Sequence, residues 1–275
     1  MNIFEAVFLG VVQGLTEFLP VSSSGHLVLF RQVFGIQDPP LLFDTMVHVG
    51  TLVGVFAVLW KDILALLKKI VQPLTLYLII GTIPAVVAAL AFRDWLEMAF
   101  KTGNSVGFAF LGTSALLATA ELLSKRAAKQ GLREPGKMNW LDALVIGLCQ
   151  AVAVIPGISR SGATLSGALS RGLDRSSAAR FSFMLSIPII LGAALFQFME
   201  LLRGGDELAA VEAAGAGIGP LPIAVGTVVA AVVGFFAVRL MLEIVKKRSL
   251  WGFAVYTGIL GILVLVDQFL LNLVF

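Results

Sequence analysis

Residues 10–26 read GVVQGLTEFLPVSSSGH, and they have a counterpart in residues 147–162, which read GLCQAVAVIPGISRSG. Both stretches place a glutamine three residues after a glycine, then a proline, and then small hydroxyl residues that end in glycine. Two further motifs recur in the same order: Phe43, Met46 and Gly54 as Phe181, Met184 and Gly192, and Gly81-Thr82 as Gly226-Thr227. Ordered matches at offsets of about 140 residues indicate an internal duplication. We predict halves at about 1–123 and 140–275, joined by a basic cytoplasmic loop at 124–139.

The composition excludes several classes of protein. Apolar residues make up 58% of the 275 residues, charged residues make up 13%, and the mean hydropathy is +0.96. Soluble domains are about 45–50% apolar and about 25% charged, so too few polar residues remain here to cover a water-facing surface. An ordinary soluble enzyme, a disordered chain and a nucleic-acid binder are therefore excluded, and the single Cys149 excludes a disulfide scaffold. We expect one membrane domain over residues 1–275, with no cleavable signal peptide, because the first residues carry no basic stretch.

Eight apolar segments and the charges between them predict the topology. The segments are 3–21, 41–60, 74–92, 105–123, 140–158, 181–202, 221–242 and 250–275. Lys and Arg concentrate in 61–72, 124–139, 171–180 and 243–250, and they are scarce in 31–40, 93–104 and 203–219. Because cytoplasmic loops collect basic residues, segment 140–158 lies between two inside loops and must re-enter, and the repeat gives residues 1–30 the same form. The sequence thus predicts an all-α integral membrane protein with about six transmembrane helices and two re-entrant helical hairpins in an inverted-topology repeat.

The polar tips of the two hairpins form the predicted site. In the first tip, Gln13 and Glu17 are four residues apart and share a helix face, while Pro20 and Gly25 bracket a break in the helix. A helix that restarts after a break presents free N–H groups and the positive end of its dipole, which attract anions. Arg160 in the second tip can donate two parallel hydrogen bonds to phosphate, and an arginine at membrane depth costs about 2.5–3.5 kcal/mol. We predict an anion cradle near the bilayer midplane, where the tips meet.

Each of these residues also has a purely structural interpretation. The serines could serve only close helix packing, and Arg160 could be a snorkelling residue at a helix end. Glu17 could be the structural partner of Arg160, and His26 could be a satisfied interior histidine. Asp44 and His48, again four apart, either close a helix as a hydrogen-bonded pair or support a catalytic group or a metal from behind. We interpret six other charged residues as interfacial, without a role in the site: Glu5, Glu121, Asp142, Glu200, Arg239 and Asp267.

Both tips carry a family resemblance. Residues 13–26 (QGLTEFLPVSSSGH) resemble the first signature of the undecaprenyl pyrophosphate phosphatase family, also called bacitracin-resistance proteins. Residues 156–164 (PGISRSGAT) resemble the second signature of that family, and segments 43–51 and 181–183 are also similar to family segments. The resemblance covers essentially the whole chain, and the paired motifs are specific to this family.

The resemblance implies an integral inner-membrane hydrolase that converts undecaprenyl pyrophosphate into undecaprenyl phosphate and inorganic phosphate. That reaction recycles the lipid carrier for peptidoglycan synthesis, and hence for cell-wall biogenesis and cell shape. Bacitracin binds the pyrophosphate carrier, so more enzyme gives resistance to this antibiotic. The resemblance further implies stimulation by a divalent cation, Mg²⁺ or Ca²⁺, an active site that faces the periplasmic or outer side, a homodimer, and a polyprenyl diphosphate substrate drawn from the lipid bilayer.

The resemblance also implies roles for single residues. Ser23 is the first choice for the nucleophile, and His26 is its rival, either as the nucleophile or as a general base or acid. Glu17 orients a metal or deprotonates Ser23 or water, and Arg160 neutralises phosphate charge. Hydrogen bonds to phosphate oxygens, or support for the loops, come from Gln13, Ser22, Ser24, Ser159, Ser161 and Thr164. The first position of the acidic motif is Glu or Gln in the family and Gln13 here, so Glu17 alone supplies a carboxylate as a metal ligand.

The residues alone predict only that the two loops converge on an anion, so functions other than hydrolysis stay open. Inverted repeats with broken helices are also typical of transporters, of which a lipid-carrier flippase is the sharpest version. A flippase needs Arg160 but no reactive serine or histidine, so it would tolerate Ser23→Ala or His26→Ala better than a hydrolase would. A phosphotransferase that passes the phosphoryl group to another lipid is a further alternative.

Overall fold

A computed structural model describes residues 1–36, 41–130, 138–202 and 219–275 of the chain, and these residues form helices joined by short turns. The helices, in chain order, are α1 Ile3–Thr16, α2 Ser23–Phe34, α3 Leu41–Val58, α4 Trp60–Lys68, α5 Pro73–Ala91, α6 Arg93–Thr102, α7 Val106–Gln130, α8 Trp140–Val152, α9 Arg160–Ser170, α10 Arg175–Leu202, α11 Pro220–Lys247 and α12 Trp251–Val266. A π-helical turn, Asp267–Leu271, extends α12.

The helix lengths separate spans from hairpins. Among the described residues, five helices, α5, α7, α10, α11 and α12, are long and apolar enough to cross a membrane, and the apolar α3, which bends by 81° into α4, is the sixth candidate. By contrast, α1 has 14 residues and α8 has 13. At 1.5 Å per residue these two helices reach about 20 Å, which is less than the roughly 30 Å of the hydrocarbon core. The prediction of an all-α membrane protein with about six spans and two short hairpins is confirmed.

Several helix boundaries differ from the prediction. The segment predicted at 41–60 ends at Val58, and the chain then bends by 81° into α4, which occupies the predicted loop 61–72. The predicted loop 93–104 likewise contains α6, and α7 runs on to Gln130, so the first part of the predicted loop 124–139 is helical. Residues 131–137 lie outside the described residues. α4 carries exposed Trp60 and basic residues near both ends, as a helix at the membrane surface does.

The two hairpins begin in the same way. Asn2 caps α1, and the side chains of Asn2 and Glu5 bond each other's backbone N–H groups. Asn139 and Asp142 repeat this arrangement at the start of α8. A reciprocal capping box of this kind satisfies two N–H groups that the helix itself leaves free. The N-terminus of the first helix of each hairpin is therefore held by the same capping interaction.

Matched glycines bring the first helix of each hairpin against a span from the other half of the chain. A Cβ on Gly10 of α1 would lie 2.6 Å from the carbonyl oxygen of Gly226 in α11. A Cβ on Gly147 of α8 would lie 2.7 Å from the carbonyl oxygen of Gly81 in α5. Only glycine permits such close backbone approach. The division into two related halves stays a prediction. It is supported by the equivalent contacts of the two halves, in which Gly10 packs on Gly226 and Gly147 packs on Gly81.

Two charges interpreted as interfacial are buried in ion pairs. Asp142 is fully buried and accepts a 2.8 Å hydrogen bond from Nε of Arg171. Glu121 is 2% exposed and accepts two bonds from Nη2 of Arg175, at 2.8 and 2.7 Å, and one from the backbone N–H of Leu250. Their interpretation as interfacial residues without a role in the site stays a prediction, and basic residues at other helix ends pair with them. Both pairs fasten helix ends together outside the hairpin tips.

Candidate active site

The turn after α1 delivers the first set of polar groups. α1 ends at Thr16, and residues 17–21 form a tight turn in which the N–H of Val21 bonds to the carbonyl of Leu19 at 2.8 Å. Ser22 then adopts φ +71°, a conformation that non-glycine residues rarely take. Its side chain caps α2 by accepting the N–H of Gly25 at 3.2 Å. A strained residue at this position is typical of functional loops.

The turn before α9 delivers the second set. Gly157 has φ +94°, and a Cβ there would lie 2.7 Å from the Cβ of Ala109, so both the conformation and the space require glycine. Ser159 caps α9 by accepting the N–H of Gly162 at 3.0 Å, as Ser22 does for α2. Its own N–H donates to Oγ1 of Thr113 in α7 at 3.0 Å, which ties the turn to a span.

The two tips bond directly to each other. The N–H of Gly157 donates to Oγ of Ser24 at 3.2 Å, and Oγ of Ser161 donates to the carbonyl of Leu19 at 3.0 Å. These bonds run in both directions between the tips, so neither loop can shift without the other. The tips meet, as the sequence predicts.

Glu17 is the centre of the site. Its Oε2 accepts hydrogen bonds from Oγ of Ser23 at 2.6 Å and from Nε2 of Gln13 at 2.9 Å, and it lies 3.5 Å from Nε2 of His48. Its Oε1 pairs with Nη2 of Arg160 from the second tip. Glu17 is only 6% exposed. A buried carboxylate is stable only with partners of this kind, so the two tips share one charge-compensated cluster.

Two buried polar atoms in this cluster have no hydrogen-bond partner among the described residues. One is Nη1 of Arg160, and the other is Oε1 of Gln13. An unpaired buried donor or acceptor costs about 1–3 kcal/mol, so such atoms indicate a place for a bound group. A free guanidinium N–H beside a paired one suits an oxygen of an anion such as phosphate.

His26 lies apart from the pair formed by Ser23 and Glu17. Its Nδ1 is 2.7 Å from the carbonyl oxygen of Ser22, and its Nε2 is 2.7 Å from the hydroxyl of Tyr256 in α12. Its ring is nearly parallel to that of Tyr256, at an interplanar angle of 9°. The proton of Ser23 therefore faces Glu17 rather than His26.

Residues 6–263 match the model of the family described as bacitracin resistance protein BacA. This chain belongs to the BacA family. It is 46% identical over 268 residues to a protein of Carboxydothermus hydrogenoformans named undecaprenyl-diphosphatase, with 98% of each chain covered. It is also 45% identical over 269 residues to undecaprenyl-diphosphatase 4 of Bacillus thuringiensis subsp. konkukian, again with 98% of each chain covered.

A third member of the BacA family, the undecaprenyl-diphosphatase of Halothermothrix orenii, is 40% identical over 268 residues, which are 97% of this chain and 98% of its own. These relatives match 97–98% of the chain. The multi-pass membrane architecture described above is thus that of a BacA-family protein.

The remaining serines and Thr164 of this BacA-family site support its loops. Oγ of Ser22 lies 3.4 Å from Oγ of Ser24, and Oγ of Ser159 lies 3.2 Å from Oγ of Ser161. Oγ1 of Thr164 is fully buried and is bonded to the carbonyl of Arg160 at 2.9 Å and to Ser182 at 2.5 Å. Ser23, the predicted nucleophile, bonds to a carboxylate, whereas the hydroxyls predicted to bind phosphate or support the loops bond within and between the two tips.

The side chains of Asp44 and His48, which were predicted to act as a pair, contact different residues. Nδ1 of His48 bonds to the backbone carbonyl of Asp44 at 2.7 Å, so the carboxylate itself does not hold the ring. That carboxylate pairs with Arg31 of α2, while Nε2 of His48 faces Glu17. Sequence analysis counted Arg31 as a loop charge, but it lies within α2 and is buried. His48 reaches the site, and Asp44 supports it only through the backbone.

Four functional-site residues were missed by sequence analysis: Arg31, Thr113, Ser182 and Tyr256. Each contacts a predicted residue on another helix, and the separation ranges from 13 positions for Arg31 and Asp44 to 230 for Tyr256 and His26. Thr164 and Ser182 lie in two segments that carry the family resemblance, which is the one signal that could have paired them. No local pattern marks the other three.

The donor set fits a divalent cation only in part. Mg²⁺ and Ca²⁺ prefer oxygen ligands, and Mg²⁺ is commonly held by one or two carboxylates together with substrate phosphates. Among the described residues, no group of three or more His, Cys, Asp or Glu side chains could hold a metal. Glu17 and Gln13 are neighbouring side chains that each carry an oxygen donor, and Oε1 of Gln13 has no partner among the described residues. They fit a cation that phosphate oxygens of a bound substrate would help to hold.

Proposed function

We propose that this chain is an undecaprenyl-diphosphatase, which hydrolyses undecaprenyl diphosphate to undecaprenyl phosphate and inorganic phosphate. The observation that carries the proposal is the cluster at the meeting tips: the hydroxyl of Ser23 donates to Glu17, and Glu17 is paired with Arg160, whose Nη1 is buried and free. The names of full-length relatives at 40–46% identity support the same substrate. A lipid diphosphate fits a polar site enclosed among membrane spans.

Ser23 acts as the nucleophile in this proposal. Its Oγ attacks the terminal phosphorus, and its proton passes to Oε2 of Glu17, to which it is already bonded at 2.6 Å. The bond from the terminal phosphorus to the bridging oxygen breaks, and undecaprenyl phosphate leaves with the proton that Glu17 held. The product at this stage is a phosphoserine.

Water completes the cycle. It attacks the phosphorus of the phosphoserine while Glu17 takes its proton, and the Oγ of Ser23 leaves and regains that proton from Glu17. Inorganic phosphate is released, and one water has been consumed. Because Glu17 becomes neutral each time it accepts a proton, its repulsion of the nearby phosphate falls at the moment when bonds change.

Arg160 supplies charge neutralisation. Nη2 stays with Glu17, and the free Nη1 donates to an oxygen of the terminal phosphate. The first N–H groups of α2 and α9 lie at the same tips and add the positive ends of two helix dipoles. Phosphoryl transfer depends mainly on positioning and on such neutralisation.

The proposed cofactor is Mg²⁺ or Ca²⁺. Glu17 and Oε1 of Gln13 would hold it together with the diphosphate, and when bound it would supply further neutralisation of phosphate charge. The residues of the chain bind and orient the lipid headgroup, and the proton transfers described above take place at Glu17.

His26 is the weaker candidate for the nucleophile. Attack by an imidazole requires a free lone pair, and the Nε2 of His26 is engaged by the hydroxyl of Tyr256. Its Nδ1 is engaged by the carbonyl of Ser22. Ser23, by contrast, has a base in contact, which is the arrangement that activates a hydroxyl.

The cellular setting follows from the family and is proposed with the activity. The chain would lie in the bacterial inner membrane with its site toward the periplasmic or outer side. There it would recycle the lipid carrier for peptidoglycan synthesis and confer resistance to bacitracin. The homodimer implied by the resemblance stays a prediction.

The test is phosphate release from undecaprenyl diphosphate by the purified protein in detergent. We expect release by the wild type in Mg²⁺ or Ca²⁺, and loss in Ser23→Ala and Arg160→Ala. Ser170→Ala is the matched control, because Ser170 is an exposed serine at the far end of α9. Binding of the lipid without hydrolysis, abolished only by Arg160→Ala, would contradict the proposal and favour a flippase.

A further inference from the structure

His26 forms a bridge between the spans and the strained turn of the first tip. Its Nδ1 bonds to the carbonyl of Ser22, the residue with φ +71°, and its Nε2 bonds to the hydroxyl of Tyr256. The ring is 4% exposed and lies edge-on to Phe110 of α7, with ring centroids 5.2 Å apart. Two hydrogen bonds and two aromatic contacts leave the imidazole one orientation.

The partners define which nitrogen carries the proton. A backbone carbonyl only accepts hydrogen bonds, so Nδ1 must be the N–H that donates to Ser22. In the neutral ring Nε2 is then an acceptor, and the hydroxyl of Tyr256 donates to it. Tyr256 thus stabilises the one tautomer that can hold the carbonyl of Ser22.

That carbonyl sets the direction of the next residue. The peptide that joins Ser22 to Ser23 is planar. Fixing the carbonyl of Ser22 therefore also fixes the positions of the nitrogen and Cα atoms of Ser23. The carbonyl of Ser22 additionally accepts the N–H of His26 at 3.2 Å, the first turn of α2. Oγ of Ser23 lies on that turn and reaches Glu17.

We propose that Tyr256 is a positioning residue for the nucleophile: through His26 it holds the strained Ser22 turn that aims Ser23 at Glu17. This inference rests on the proposed function for its effect on catalysis, but not for the geometry it asserts. His26 is then a structural link between Tyr256 and Ser22, here called the strut, rather than a catalytic group. The conformation of Ser22 is strained, and the two hydrogen bonds of His26 oppose its relaxation.

A double-variant cycle tests the proposal kinetically. Tyr256→Phe removes the hydroxyl and keeps the ring, and we expect kcat to fall about five- to tenfold with KM nearly unchanged. Ser22→Gly removes the strain, because glycine adopts positive φ freely and is an adequate helix cap. In the Ser22→Gly background, Tyr256→Phe should therefore lower kcat by about twofold or less. An equal loss in both backgrounds, or no loss in either, would overturn the proposal.

Two controls accompany the cycle. Tyr77→Phe changes the other tyrosine of the chain, which lies on the span α5 and in neither hairpin, and it should leave kcat unchanged. The ¹⁵N spectrum of histidine-labelled protein is interpretable because the chain has two histidines, and His48→Gln assigns them. We expect His26 protonated on Nδ1, with the Nε2 resonance moving toward that of a free imidazole nitrogen in Tyr256→Phe.

The spectrum separates the two proposals. A wild-type His26 protonated on Nε2 would overturn the strut whatever the activity. The expected tautomer in a protein that releases no phosphate would uphold the strut's geometry and reject the proposed function instead. Phosphate release that Tyr256→Phe leaves unaltered would reject the strut and keep the function.

Discussion

Oγ of Ser23 donates a 2.6 Å hydrogen bond to Oε2 of Glu17. The two residues lie on opposite sides of the break between α1 and α2, so the bond exists only because the chain reverses there. The second tip adds Arg160 to the other oxygen of the same carboxylate. A hydroxyl and a guanidinium are thus assembled around one buried carboxylate, which is the arrangement that the proposed reaction requires.

Glu17→Gln should abolish most of the activity while the protein still binds its lipid. The amide keeps the shape of the side chain but cannot accept the proton of Ser23, and loss of a general base costs about 10²–10⁴-fold in kcat. The measurement is the steady-state rate of phosphate release over a range of lipid concentrations. Glu5→Gln is the matched control, since Glu5 lies in the capping box of α1 and should leave kcat unchanged. A Glu17→Gln rate within threefold of the wild type would reject Glu17 as the base.

Arg160→Ala should destabilise the protein as well as inactivate it, because it leaves the buried carboxylate of Glu17 uncompensated. Breaking a buried ion pair by removing one partner costs about 3–5 kcal/mol. The double variant Glu17→Gln/Arg160→Ala should recover much of the stability without any activity. Thermal unfolding in detergent measures the first effect. If both variants unfolded at the same temperature, the ion pair would not carry the stability assigned to it.

Gly10→Ala and Gly147→Ala should each destabilise the fold, by about 1–3 kcal/mol, because the added Cβ meets a backbone carbonyl of the facing span. Gly192→Ala and Gly252→Ala are suitable controls, since a Cβ at either position has nothing within 4 Å. The comparison uses the unfolding midpoints of the four purified variants. Equal midpoints for the tight and the open positions would contradict the close packing of α1 on α11 and of α8 on α5.

Gln13→Glu should lower the cation concentration needed for half-maximal activity, by about tenfold, since a second carboxylate strengthens binding of Mg²⁺ or Ca²⁺. A chelator should suppress phosphate release by the wild type. The assay is phosphate release across a titration of each cation. An unchanged cation requirement in Gln13→Glu would remove Gln13 from the proposed ligand set.

The sequence alone predicts the parts of this site that depend on local patterns. Gln13 and Glu17 share a helix face by their spacing, and Pro20 and the glycines of the tips mark the breaks. Contacts between different helices leave no such pattern, so Tyr256 and the pairing of Arg31 with Asp44 were not predictable.

The ends of the helices were likewise only partly predictable from the sequence. The bend after Val58 occurs without a proline or glycine, at the point where the apolar run gives way to Trp60 and Lys61. Hydropathy shows the end of a span, but not that the next residues continue as a helix along a new direction. Asp174 similarly starts α10 ahead of its apolar segment, because its side chain caps the N–H groups of Ser176 and Ser177.

The most direct measurement is to trap the reaction of the purified protein with undecaprenyl diphosphate labelled in its terminal phosphate. The reaction is quenched within the first turnover, and the labelled residue is identified by peptide mapping and by its stability to acid. The account predicts acid-stable phosphoserine at Ser23, absent in Ser23→Ala and in Arg160→Ala. An acid-labile label on His26, or turnover with no label on Ser23, would contradict the assignment of Ser23 as the nucleophile.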